Sequence, residues 1–337
     1  MSRRGKIWIL TSWLGIVYGG WAMIVLIGGW GDVVAENWRM ALAMAVGSYF
    51  AGSTPMGGGT VGFPVLTLMM GQTPDLGRDF SFAIQSVGMV SASVFIYSLS
   101  HPVVWGILRW ALIGATLGTP LGILYIAPHI DNLIVQLFFA VIWAGFGLLH
   151  IWKLGEFSGY LNISGLSRDR EMKSGLITGF SGGLLIASIL GVGIDLALYA
   201  VLVLVFRCDL RLAIPSSVVL MAYTSVIGVV TRSLSGGLNP EVFGYWLAAA
   251  PVVAVGAPLG AIVVKKIGRK PTLWLVSGLC LLQLIWTIFR EWDNLGWGGL
   301  GLTLASVATF YLLFQWLYQK GRKLKIPSHE GTSQSDQ

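Results

Sequence analysis

Two apolar segments, 39–72 and 174–206, restrict the fold more than any other part of this sequence. At 34 and 33 residues, each would make a single helix about 50 Å long, against a hydrocarbon core of about 30 Å. Glycine interrupts both, at Gly52-Ser53-Thr54-Pro55-Met56-Gly57-Gly58-Gly59-Thr60 in the first and at Gly191-Val192-Gly193 in the second. Each break leaves arms too short to span comfortably, so each segment is expected to be two half-helices meeting at a glycine-rich tip.

The other apolar runs, at 7–29, 80–99, 104–127, 132–152, 213–234, 241–264, 271–289 and 297–318, predict eight spanning helices. Composition agrees. Of the 337 residues 55% are hydrophobic and 11% charged, against about 25% charged in soluble domains, which leaves more apolar surface than one core can hide. Arg3, Arg4 and Lys6 precede a first run too long for a signal-peptide core, so it reads as a retained span. The surplus of basic residues lies in short clusters between apolar runs, which reads as a topology signal and not as a nucleic-acid surface. Cys208 and Cys280 lie far apart, and His101, His129, His150 and His329 have no ligand spacing, so no disulfide framework, metal site or cofactor is implied.

Charge decides whether the broken segments turn back or cross. If both are hairpins, the amino terminus, the 153–173 linker, the 207–211 and 265–270 loops and the carboxyl tail share one side. That side then carries 17 Lys and Arg, against 4 on the other, Arg39, Arg78, Arg232 and Arg290. If both cross, the split is 14 to 7. The positive-inside bias favours hairpins, in a cell-membrane protein with both termini in the cytoplasm.

Sliding the chain by 138 residues brings Pro102, Val104, Gly106, Ala111, Gly118, Pro120, Leu121 and Gly122 onto Pro240, Val242, Gly244, Ala249, Gly256, Pro258, Leu259 and Gly260, 8 identities in 21 positions. The glycine breaks pair at a shift of 134, and Ala83-Ile84-Gln85-Ser86 resembles Ala213-Ile214-Pro215-Ser216 at a shift of 130. Each copy is a hairpin plus three spans, an odd number, so the second copy is inserted upside down. The expected fold is an all-α polytopic membrane protein of two inverted repeats, each a glycine-broken re-entrant helical hairpin plus three transmembrane helices, with extra amino- and carboxyl-terminal transmembrane helices. Its parts are an accessory helix (1–38), a first repeat (39–152), a cytoplasmic linker (153–173) holding an Asn162-Ile163-Ser164 sequon, a second repeat (174–289), and a last helix with a polar, disordered tail after Lys325 (290–337).

A half-helix amino terminus inside a membrane presents unpaired amides and about half a positive charge, which suits an anion. Thr54, Gly57, Gly58, Gly59 and Thr60 at the first tip and Gly191, Val192 and Gly193 at the second supply such amides and hydroxyls. Close helix packing is the other use of membrane glycines. Ser81, Gln85, Ser86, Ser216, Ser217 and Thr224 follow the hairpins and are candidates to bond an oxyanion, although such hydroxyls also bond their own backbone. Asp195, inside an apolar segment, needs compensation: it either takes up a proton and couples transport to the proton gradient, or caps the second half-helix. Arg109 either balances the anion or snorkels to the surface.

The runs GGGTVGFPVLTL and GVGID, with the duplicated GTPLG and GAPLG elements, resemble the TauE/SafE family of sulfite and organosulfonate exporters over roughly 40–289. The second motif departs from the first: the glycine triplet becomes Gly191-Val192-Gly193, and Leu198 stands where the first has Pro64. The resemblance implies export of a small sulfur-containing anion such as sulfite or a sulfonate, driven by a coupling ion, H+ or Na+, with the first and last spans outside the family core. A secondary transporter is therefore expected. An anion channel is the alternative, separated from it by saturable, gradient-coupled flux. An enzyme is not expected, since the sequence offers no paired acid, His cluster or nucleophile and base. The partners expected are the anion, the lipid bilayer and the coupling ion, with a homodimer left open.

Overall fold

The computed structural model describes residues 3–157, 160, 167–267 and 269–323, and all the regular elements among them are helical. α1 (Arg3–Gly28) and the short α2 (Gly31–Glu36) lead into the first broken segment: α3 (Trp38–Ser53), a turn at 54–58, and α4 (Gly59–Met69). Then come α5 (Pro74–Ser98), α6 (Trp105–Tyr125) and α7 (Asn132–Phe157). The second half repeats this order with α8 (Arg168–Leu190), a turn at 191–193, α9 (Ile194–Val205), α10 (Leu210–Leu234), α11 (Pro240–Ile267) and α12 (Arg269–Arg290). The chain ends in α13 (Trp292–Lys323), kinked at Gly296.

Among the described residues nine helices are long and apolar enough to cross a membrane, one more than the sequence predicts. The extra one is α8, whose polar first turns extend it to 23 residues, against 16 for its counterpart α3. Hydropathy alone misses those turns because helix formation does not require them to be apolar. The linker shrinks accordingly: Lys153 rides on α7, and Arg168, Arg170 and Lys173 ride on α8. The sequon at 162–164 and the tail after Lys325 lie outside the described residues.

Elements recur at a spacing of 136 residues from the return arms through α5 and α10, beside the shifts of 134 and 130 read from the sequence. Val65–Met69 and Val201–Val205 are both π-helical, and α5 and α10, starting at 74 and 210, both have 25 residues. The amides of Gln72 and Cys208 each donate, at 2.9 Å, to Leu66 O and Leu202 O, and Thr73 and Asp209 cap the helices that follow. In this register Gly57 (φ 65°) answers to Gly193 (φ 101°), Pro64 to Ala200 and not Leu198, and Ser81 to Ser217. A tetrapeptide likeness holds less register information than caps and helix ends do.

Each first arm packs on the opposite half, α3 on α11 and α8 on α6. Gly114, Gly118 and Gly122 of α6 lie against the carbonyls of Leu176, Phe180 and Leu184, while Gly256 and Gly260 of α11 lie against Ser48 and Tyr49. A side chain at any of them would overlap these atoms, so the duplicated GTPLG and GAPLG elements are close-packing surfaces. At the centre, α5 runs antiparallel to α10, and α7 to α12. The start of α5 meets the end of α10 through Asp79 and Arg232 and through Phe82 and Gly228, and α7 meets α12 with Gly147 beside Ser277 and with Ala140, Val141 and Ala144 in one apolar cluster with Leu284. α1 is fastened from outside by Trp13 Nε1 to Ser91 Oγ (2.8 Å) and Trp21 Nε1 to Leu247 O (2.7 Å).

Candidate functional site

Gln85, on α5, stands between the two turns. Its Nε2 donates at 3.0 Å both to Ser81 O, one helical turn back, and to Gly191 O in the second turn. Oε1 is therefore the free end, and it is buried without a partner. Ser81 Oγ and Asp195 Oδ2 are likewise buried without partners, while Asp195 Oδ1 accepts the amide of Leu196 at 3.0 Å. Ser81 and Asp195 are fully buried and Gln85 is 1% exposed.

These oxygens surround the glycines of the first turn. A Cβ on Gly57 would overlap Gln85 Oε1 and lie 3.1 Å from Asp195 Oδ2; one on Gly59 would lie 2.9 Å from Gln85 Nε2 and 3.1 Å from Ser81 Oγ. With φ 65°, Gly57 also holds a backbone conformation that other residues adopt at a cost. Each buried polar group left unpaired costs about 1–3 kcal/mol. Two of them, Gln85 Oε1 and Asp195 Oδ2, share the space beside Gly57, and Ser81 Oγ lies next along, beside Gly59; unpaired groups so close in space mark a position that a further polar group completes.

The second turn is packed as closely, but against backbone and an aromatic ring. A side chain on Gly191 would strike Arg78 O, and a Cβ on Gly193 would lie 2.7 Å from the Trp143 ring; Val192 is fully buried. Trp143 joins the two turns, since its Nε1 donates to Thr60 Oγ1 at 3.2 Å, and its ring continues a stack through Phe139 to Phe63 with centroids 4.2 and 4.8 Å apart. Sequence reasoning passed over Trp143 because α7 carries no glycine break.

Of the expected residues, Gly57, Gly59, Gln85, Gly191 and Asp195 therefore meet, together with Ser81. The others have different neighbours. Gly58 faces its own hairpin, where a Cβ would lie 3.3 Å from Met44 Cε and 3.4 Å from Ala51 Cβ. Thr54 and Thr60 donate to Phe50 O and Met56 O, and Ser86, Ser217 and Thr224 to Ala83 O, Ile214 O and Leu220 O. Ser216 donates to Leu212 O and accepts the amide of Val104, tying α10 to the start of α6. Arg109 is exposed, 5.7 Å from the centre of the Trp110 ring, and is not among the buried groups around Gly57.

One charged cluster near the site was not expected. Asp79 is fully buried and accepts from Arg232 Nε (3.0 Å) and Nη2 (2.9 Å) and from Arg78 Nε (3.2 Å), while Arg78 also reaches Asp75 at 3.0 Å. It lies two residues before Ser81 and bridges the two halves. The available signal was an Arg-Asp pair at a span border, which a span drawn from 80 onward leaves outside.

Among the described residues no group of three His, Cys, Asp or Glu is placed to hold a metal. Compared with known proteins, the family model described as Sulfite exporter TauE/SafE matches residues 39–287, from α3 nearly to the end of α12, with α1, α2 and α13 outside the match. No curated protein and no solved structure matches.

Proposed function

Because the chain belongs to the sulfite exporter TauE/SafE family, a family of membrane transporters, we propose that it carries sulfite or a related sulfonate by way of the space between the two helix turns. The anion binds at the first turn, where the leading amides of α4 around Gly57, Gly58, Gly59 and Thr60 begin a helix and lack intrahelical acceptors. The second turn is the poorer anion site, since the carboxylate of Asp195 already takes the amide of Leu196.

The observation that carries the reading is Asp195 Oδ2 facing Gly57 without a partner. A charge there and an anion on the first turn repel strongly at low dielectric, so anion binding is linked to neutralisation of Asp195. That linkage is what a coupled transporter needs and a channel does not. In proteoliposomes, the wild type should accumulate labelled sulfite against its gradient, whereas Asp195→Asn should still bind sulfite but fail to accumulate it. Undiminished accumulation by the Asn variant would reduce Asp195 to a helix cap.

The antiparallel contact of α5 with α10 and of α7 with α12 supports inverted repeats, and the 17 to 4 division of Lys and Arg supports cytoplasmic termini. A cysteine placed at Ser167 should resist an impermeant thiol reagent in intact cells, and labelling there would overturn that orientation.

A further inference from the structure

The neutralising partner that Asp195 requires has its chemistry written around it. We propose that Ser81, Gln85 and Asp195 form a binding site for a small monovalent cation, sodium, held by Ser81 Oγ, Gln85 Oε1 and Asp195 Oδ2. The site stands on its own geometry and rests on the anion-transport reading only for its role as the coupling ion.

Four features argue for a cation. First, the unpartnered atoms are three oxygens on three fully or almost fully buried side chains. The direction of the Gln85 amide is set by two donations, since turning it over would press Oε1 against Ser81 O and Gly191 O. Second, the Gln85 amide oxygen and the Asp195 carboxylate oxygen can only accept, and a hard cation draws on both of them and on the Ser81 hydroxyl oxygen at once. Third, the arginines at the neighbouring ends of α5 and α10, Arg78 and Arg232, are bound to Asp75 and Asp79 and do not serve as its counter-charge, and it is the carbonyl of Arg78 that faces the second turn. Fourth, α8 ends at Leu190 beside the site, and a helix carboxyl end in the membrane interior favours positive charge.

Charge and size narrow the ion. One carboxylate with two neutral oxygens balances a single positive charge, while divalent ions take more carboxylates, and no cluster of that kind lies among the described residues. Gln85 Oε1 and Asp195 Oδ2 both lie within 3.1 Å of one point beside Gly57, close enough together to share one small ion. With sodium bound, the negative charge facing the first turn is cancelled, and cation and anion then bind together rather than in competition.

The test uses the purified full chain in detergent with chloride held constant, sodium exchanged for choline, and no sulfur anion present. Sodium should raise Tm saturably, potassium less so, and choline not at all. Asp195→Asn should abolish the response, and Ser81→Ala and Gln85→Leu should each raise the half-saturating sodium concentration by about tenfold. Ser81→Ala removes a single oxygen, so it guards against reading misfolding as lost binding. Equal responses to sodium, potassium and choline would overturn the site, as would an undiminished response in Asp195→Asn. A Tm that follows pH with no sodium dependence would overturn it in favour of a proton. Sulfite binding is measured separately, so failure of the sodium response leaves the anion reading standing, and failure of sulfite to bind leaves a positive sodium response intact.

Discussion

The first turn has three glycines, no charge and an open flank; the second has Asp195, two left-handed glycines pressed on α5 and α7, and a flank covered by α13. Gly321 of α13 lies against the carbonyls of Leu204 and Val205, while Phe314 and Tyr318 enter the core beside Phe146 and Phe157 at 6.3 and 6.2 Å between centroids. The same face of α4, at Pro64, Leu68 and Met69, instead borders an apolar cavity of about 290 Å³ against Leu279 and Trp286 of α12. The feet differ too. Arg207 donates to Glu156 at 3.0 Å below α9, whereas a neutral bond from Gln72 Nε2 to Tyr245 OH, at 3.1 Å, holds the end of α4. An arm with fewer packed neighbours opens at lower cost, so the first hairpin is expected to be the mobile gate and the second the fixed wall.

The largest expected effect follows from space. Gly57→Val places a branched side chain onto Gln85 Oε1 at φ 65°, adding left-handed strain of about 1–2 kcal/mol to the overlap, and sulfite flux should fall by about 100-fold or more. Gly58→Ala, at φ −71°, with its Cβ 3.3 Å from the flexible end of Met44, which can give way, and 3.4 Å from Ala51, should stay within about threefold of wild type. Equal damage from the two would mean that the triplet serves only packing, and the functional contrast between the turns would fail.

A smaller effect concerns the covered flank. Gly321→Leu pushes α13 off the backbone of α9 and should lower stability by about 1–3 kcal/mol in thermal unfolding. An unchanged Tm would show that α13 does not brace the second hairpin.

The broken segments and most spans could be read from the sequence because a bilayer sets length and hydropathy so strictly. The glycine duplicates could be found, but not their use, since nothing local distinguishes Gly118 against Phe180 from Gly57 against Gln85. Asp79 was hidden for the opposite reason, and so was the direction of the Gln85 amide, although Gln85 itself was a candidate. Asp79 is tolerable only because Arg232, 153 residues away, neutralises it, and the free oxygen of Gln85 is defined by a bond to Gly191, 106 residues away. The cover that α13 gives to α9 was invisible too, because it depends on where a helix outside the repeats comes to rest.

The smallest effect separates the two feet. Arg207 and Glu156 have side chains 33% and 35% exposed, so their pair is worth about 0.2–1 kcal/mol and is open to screening. Glu156 also accepts from Tyr318 at 2.6 Å and from Tyr160 at 3.2 Å, and burial pushes the Tyr160 phenol up to about 12, so that donor stays neutral and in place when the guanidinium is gone. Arg207→Gln should therefore lower stability by less than about 1 kcal/mol at about 0.15 M salt, and the loss should vanish near about 1 M, where the screening length is about 3 Å. Tyr245→Phe removes a bond between neutral groups, and its cost of about 0.5–1.5 kcal/mol should be the same at both salt concentrations. A salt-independent loss for Arg207→Gln would mean that backbone shape, with φ 51° at Arg207, holds this foot instead of charge, and the two hairpins would then be anchored by the same kind of force.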